Sequence, residues 1–120
     1  MTCGLESSSV LWPSGAQILV LPANFTEATG RAHWEVLVRA RAIENECYVI
    51  APNQVGKKPR FTAYGHSLIV DPRGKVLAEA DGTETGVIYA PIDLDLVSKV
   101  RKETFTLQNR REDIYSLCLK

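Results

Sequence analysis

Two short apolar runs, Ile18-Leu19-Val20-Leu21 and Cys47-Tyr48-Val49-Ile50-Ala51, flank a segment whose apolar residues recur at the helical period. That arrangement constrains the fold more than any other feature. The first run is closed by Pro22 and reads as a strand buried on both faces. A polar loop, Ala23 to about Gly30, leads into a helix expected over Arg31–Glu46, with Thr29 as its N-cap beside Gly30. Trp34, Val36, Leu37, Val38, Ala40, Ala42 and Ile43 nearly encircle the helix axis, the pattern of a buried helix. Only Asn45 and Glu46 separate it from the second run, so the helix must drop straight into a strand. Strand, helix and strand at this length form a crossover, which favours a parallel pair covered by the helix.

Downstream the pattern changes. Residues 52–63, with Pro52, Gly56 and Pro59 and the basic Lys57, Lys58 and Arg60, read as a solvated loop. His66–Asp71 and Lys75–Ala80 read as strands joined by Asp71-Pro72-Arg73-Gly74, a type I turn signature. Asp81–Gly86 is a further turn, and Val87–Ile92 a further expected strand. Asp93 caps an expected helix to about Glu103, with Leu94, Val97 and Val100 on one face. Thr104–Lys120 is of mixed character and reads as an extended arm. The result is an α/β layered domain with two main helices. One helix layer leaves part of the apolar surface of the first helix uncovered, which calls for further sequence or a partner chain.

Composition narrows the function classes. The 120 residues suit one small domain with a real core, at 45% hydrophobic and 23% charged. Fourteen basic residues balance fourteen acidic ones, which removes the electrostatic argument for nucleic acid or an anionic membrane. Cys3, Cys47 and Cys118 are widely spaced and form neither a disulfide framework nor a zinc motif. No secretory signal or membrane span is legible, so a cytoplasmic protein is the expectation, or a mitochondrial one if a longer form carries a transit peptide. In that setting Asn24-Phe25-Thr26, which fits the glycosylation pattern, is read as chance.

Several blocks in series carry a resemblance. They are Gly15–Pro22, Phe25-Thr26, Thr29–Glu35, Arg39–Asn45, Tyr48-Val49, Tyr64–Ser67 and Asp71–Ala78. In this order, over about residues 15–116, the chain resembles the nitrilase superfamily of carbon–nitrogen hydrolases. Within it the chain is similar to the Nit-like branch of omega-amidase and deaminated-glutathione amidase. The resemblance implies the C-terminal part of an α-β-β-α sandwich with a mixed sheet, preceded by a non-matching segment 1–14 and followed by a tail, 117–120. It implies hydrolysis of a small ω-amide carboxylic acid by a Glu–Lys–Cys set, without metal or organic cofactor, in enzymes that pair as dimers. In such chemistry a thiolate attacks the amide carbon, a carboxylate moves the proton and a lysine stabilises the oxyanion.

The chain departs from that pattern where the chemistry lies. The base and the lysine belong to segments upstream of the matched blocks. Cys3 is followed by Gly4-Leu5-Glu6-Ser7 instead of an aromatic-Asp-Arg-Pro-Glu context, and Pro13 interrupts the helix expected after a nucleophile. No catalytic residue is therefore assigned, and the chain reads as a truncated product or an incomplete gene model. What the resemblance leaves is a substrate wall at Phe25, Thr26 and Thr29, set against the plainer reading that Thr29 caps and Phe25 packs. His33 and His66 read as hydrogen-bonded structural residues, Trp34 as core or subunit interface, and Cys47 as a small hydrophobe. Glu35, Arg39, Arg41 and Glu44 read as a structural ion-pair set. Two functions follow: a segment of an amidase that is inactive alone, or a non-catalytic module that pairs with a related full-length subunit or another partner, as a homo- or heterodimer.

Overall fold

The computed structural model describes residues 15–106, 108–111 and 113–115. Its centre is a four-stranded sheet in the order β1 (Ile18–Val20), β2 (Tyr48–Ala51), β5 (Leu68–Val70) and β6 (Val76–Glu79). β1 and β2 run parallel, with Leu19 opposite Val49. β5 and β6 add antiparallel, with Ile50 opposite Ile69 and Ile69 opposite Ala78. The expected crossover and the mixed sheet are both present.

The crossover begins earlier than the sequence pattern suggests. Helix starts at α1 (Glu27–Thr29), widens into a π turn over Gly30–Trp34 and continues as α2 (Glu35–Asn45). Thr26, in extended conformation, occupies the cap position, while Thr29 has helical dihedrals and makes no capping bond. The assignment of Thr29 as N-cap is thus corrected: the polar stretch before it is already helical. The π turn carries Gly30 and Trp34 onto the line of Val38 and Ala42, and all four are buried. Gly30 is fixed by space. A Cβ there would lie 2.3 Å from the Tyr64 ring.

Trp34, Val38 and Ala42 pack on Leu19, Val49, Ala51, Leu68 and Val70, the sheet face that forms the core. α2 ends at Glu46, which is left-handed at φ 48° and turns the chain directly into β2. Two pairs, Glu35–Arg39 at 3.2 Å and Arg41–Glu44, lie along the helix, and Arg39 also donates to the Gly74 carbonyl at 2.8 Å. The β5–β6 turn is the expected one: the Gly74 N–H donates to Asp71 O at 2.9 Å.

Four further expectations are corrected. β1 is not buried on both faces, since Leu19 faces the core but Ile18 and Val20 are 39% and 60% exposed. Residues 52–63 are not all loop: β3 (Val55–Lys57) and β4 (Thr62–Tyr64) form a small antiparallel hairpin. Val87–Ile92 is not a strand; its residues pair with no neighbouring strand, and Val87 and Tyr89 are 75% and 85% exposed. α3 (Leu94–Thr104) is capped by Asp93 as expected and buries Val97 and Val100, but Leu94 is exposed. No helix among the described residues is long and apolar enough to cross a membrane.

Candidate functional site

Parallel strands open a crevice beyond their carboxyl ends, where the chain leaves the sheet in two loops. Here those loops are Pro22–Thr26 after β1 and Pro52–Gln54 after β2. They stay side by side past the strands, because Ala23 N–H donates to Pro52 O at 2.9 Å and Gln54 N–H to Ala23 O at 3.1 Å. Pro22, Ala23, Asn24, Pro52, Asn53 and Gln54 line an open cleft of about 480 Å3. Its polar groups are carboxamides.

Asn53 is the most constrained of them. It is 8% exposed. Its Oδ1 accepts from Phe25 N–H at 3.1 Å, and its Nδ2 donates to Gly65 O at 2.7 Å. Its backbone N–H donates to Ser67 Oγ at 2.9 Å.

The three residues expected to form a substrate wall are close in sequence but face different surroundings. The Phe25 ring is half-buried against Trp34, with centroids 5.0 Å apart and planes at 50°. It lines a separate apolar cleft of about 200 Å3 together with Leu21, Trp34, Leu37 and Arg41. Thr26 is half-buried and bridges to Ala63, and its Oγ1 lies 2.8 Å from Oγ1 of the exposed Thr29. The packing reading of Phe25 thus has direct geometry behind it, and the two threonine hydroxyls form a single exposed pair.

Beside this wall the chain bends through Gly65 and His66, both left-handed, at φ 72° and 55°. Trp34 Nε1 donates to the His66 carbonyl at 2.6 Å, and His66 Nδ1 meets Glu79 Oε1 at 2.7 Å. Tyr64 stacks on the His66 ring at 4.3 Å. His66 is therefore held as a structural residue, and His33 is exposed on the π turn. Asp81, nearby, is held below the usual carboxylate range by hydrogen bonds from the Thr83 side chain and backbone, with His66 adding to the effect.

Cys47 is no nucleophile for this cleft. It precedes β2, at the opposite end from the cleft, is 1% exposed, and burial pushes its thiol up to about 11 against the smaller opposing pull of Arg101. Cys3 and Cys118 lie outside the described residues. Among the described residues no three His, Cys, Asp or Glu side chains converge as a metal site.

Asn24, Asn53 and Gln54 were not selected from the sequence. The signal available was positional: Pro52-Asn53-Gln54 follows an apolar strand at the carboxyl end of a parallel pair.

Residues 6–102 match the family described as carbon-nitrogen hydrolase. The chain belongs to that family. It is 51% identical over 113 residues to the probable hydrolase nit2 of Schizosaccharomyces pombe, covering 92% of this chain and 40% of that protein. It is 40% identical over 113 residues to the omega-amidase NIT2 of Mus musculus, covering 93% of this chain and 41% of that protein. The crystal structure of the Caenorhabditis elegans NitFhit protein superimposes with a TM-score of 0.84 at 41% identity, covering 96% of this chain and 28% of that one. The resemblance read from Gly15–Ala78 is thereby shown, and so is the nitrilase-type fold. The chain spans about two fifths of the length of these curated relatives.

Proposed function

We propose that this chain forms the C-terminal wall of an amidase acting on a small ω-amide carboxylic acid and does not turn over alone. One observation carries the reading. The cleft beyond β1 and β2 is lined, among the described residues, by carboxamide, proline and alanine side chains, with no nucleophile, base or oxyanion-binding cation among them. In longer members of the family the Cys-Glu-Lys set would come from other segments. Phe25, Thr26 and Thr29 follow Pro22, Ala23 and Asn24 of that cleft and do not line it; they would contribute an adjoining substrate-contacting face. The substrate class is taken from the similarity to an omega-amidase.

The test is an assay of residues 1–120 with α-ketoglutaramate, following ammonia release. No turnover above buffer is expected from the chain alone. Robust turnover that disappears in Cys3→Ala would overturn the proposal, because it would place a working nucleophile in this chain.

A second reading, a pairing module, rests on a different observation. Val36, Leu37 and Ile43 on the outer side of α2 are 68%, 40% and 47% exposed. A related subunit would cover them, in a homo- or heterodimer.

A further inference from the structure

The loop after β1 turns out of the sheet before it becomes helix, so the Phe25 N–H has no strand partner. A side chain supplies one. The Asn53 carboxamide adds a side-chain bridge between two backbones, accepting from Phe25 N–H and donating to Gly65 O. The other side of Phe25 is tied as well, its carbonyl accepting from Tyr64 N–H at 2.9 Å. Ser67 Oγ donates back to Asn53 O at 3.3 Å, so the 52–54, 64–67 and 22–26 segments all meet at this residue. A carboxamide offers one acceptor and one donor group on a single planar end, and at position 53 both are used.

We propose that Asn53 is the positioning residue of the substrate wall: by tying Phe25 N–H to Gly65 O it sets where Phe25 and Thr26 stand toward a carboxylate-bearing amide. The inference rests on the substrate-wall reading given above. It adds that selectivity for the carboxylate depends on a residue whose own amide is engaged with backbone, away from substrate.

The experiment uses the full chain in solution, observed residue by residue by NMR. Two probes of matched shape are titrated: succinamate, which carries the carboxylate, and butyramide, which does not. In Asn53→Ala the protection of the Phe25 amide against hydrogen exchange should fall about tenfold, with Val49 and Val70 unchanged within about twofold, as expected for a local opening. The preference for succinamate over butyramide should fall several-fold. A role limited to general stability would weaken both probes alike and leave their ratio unchanged.

Asn53→Asp supplies the rescue. A protonated carboxyl presents one acceptor and one O–H donor, the same pair as the amide, whereas the ionised form can only accept and would oppose the Gly65 carbonyl. Protection at Phe25 should therefore return as pH falls toward about 4, the ordinary carboxyl range; the probe ratio is read near neutral pH only, because succinamate's own carboxylate is protonated in that same range. Unchanged Phe25 protection in Asn53→Ala overturns the proposal, as does an unchanged probe ratio. If the unmodified chain shows no succinamate-induced shifts at Phe25 and Thr26, the substrate-wall reading itself falls, and the role of Asn53 toward substrate falls with it.

Discussion

Cys47 shows how much a single buried group can be asked to do. Its thiol is shielded by the α2–sheet core, and the resulting rise to about 11 from 9.0 means that the folded state holds the proton more tightly than the unfolded chain. For a group of that kind the stabilising contribution is complete below the unfolded pKa and is lost as pH rises through the folded one. Stability should therefore decline between about pH 9 and 11, by at most about 2.7 kcal/mol for a two-unit shift, as read from urea midpoints. Peptide-resolved alkylation at pH 8 should label Cys47 about a hundredfold more slowly in the folded chain than in urea, from the thiolate fraction alone. Comparable labelling in both states would contradict the burial. Cys47 and Trp34 were legible from sequence because burial follows periodicity. Asn53 was not, because its role exists only once three loops meet. Thr29 was misread as a cap because the cap rule sees a hydroxyl before an apolar run but not a helix that has already begun.

At the scale of elements, local signals and long-range ones fared differently. The β1–α2–β2 crossover, the Asp71–Gly74 turn and the Asp93 cap are each specified within a few residues, and each is present. The β3–β4 hairpin escaped notice because its strands are three residues long and separated by Pro59. Val87–Ile92 has the composition of a strand, yet a strand is made by its partner, and the edge strand β6 does not pair with it. α3 offers a direct measurement of a local signal. Asp93 Oδ1 accepts from Asp95 N–H at 2.9 Å, and the Asp93 backbone N–H donates to Tyr48 Oη at 3.1 Å. Only the first bond depends on the side chain. Asp93→Ala should cost about 1 kcal/mol in a urea titration with the fold intact, while Asp93→Asn, which keeps the acceptor, should cost less. Equal losses in both variants would assign the effect to charge instead of capping.

For the whole molecule, the question is what two uncovered apolar faces can support. On one side of the layers stand Val36, Leu37 and Ile43 of α2; on the other, Ile18 and Val20 of β1 with the half-buried Ile50. Fully burying such a side chain contributes about 1.5–3 kcal/mol, and these α2 residues, already partly covered, would each gain roughly 1. Three residues from each of two copies then give roughly 6 kcal/mol, near the low end of the 4–15 kcal/mol that association itself costs. The α2 face alone therefore supports only a transient pair, and a lasting complex needs the sheet face as well, or a longer relative that covers both. Light scattering of the chain should show monomer at about 10 μM and self-association only well above millimolar concentration, since at most about 2 kcal/mol of net binding corresponds to a Kd of roughly tens of millimolar. Val36→Lys with Ile43→Lys should abolish that association without altering the circular dichroism spectrum, since both positions face solvent. A monomer at every concentration would sink pairing through α2. A tight dimer that survives the double substitution would move the contact to Ile18 and Val20, where Val20→Lys is the decisive variant.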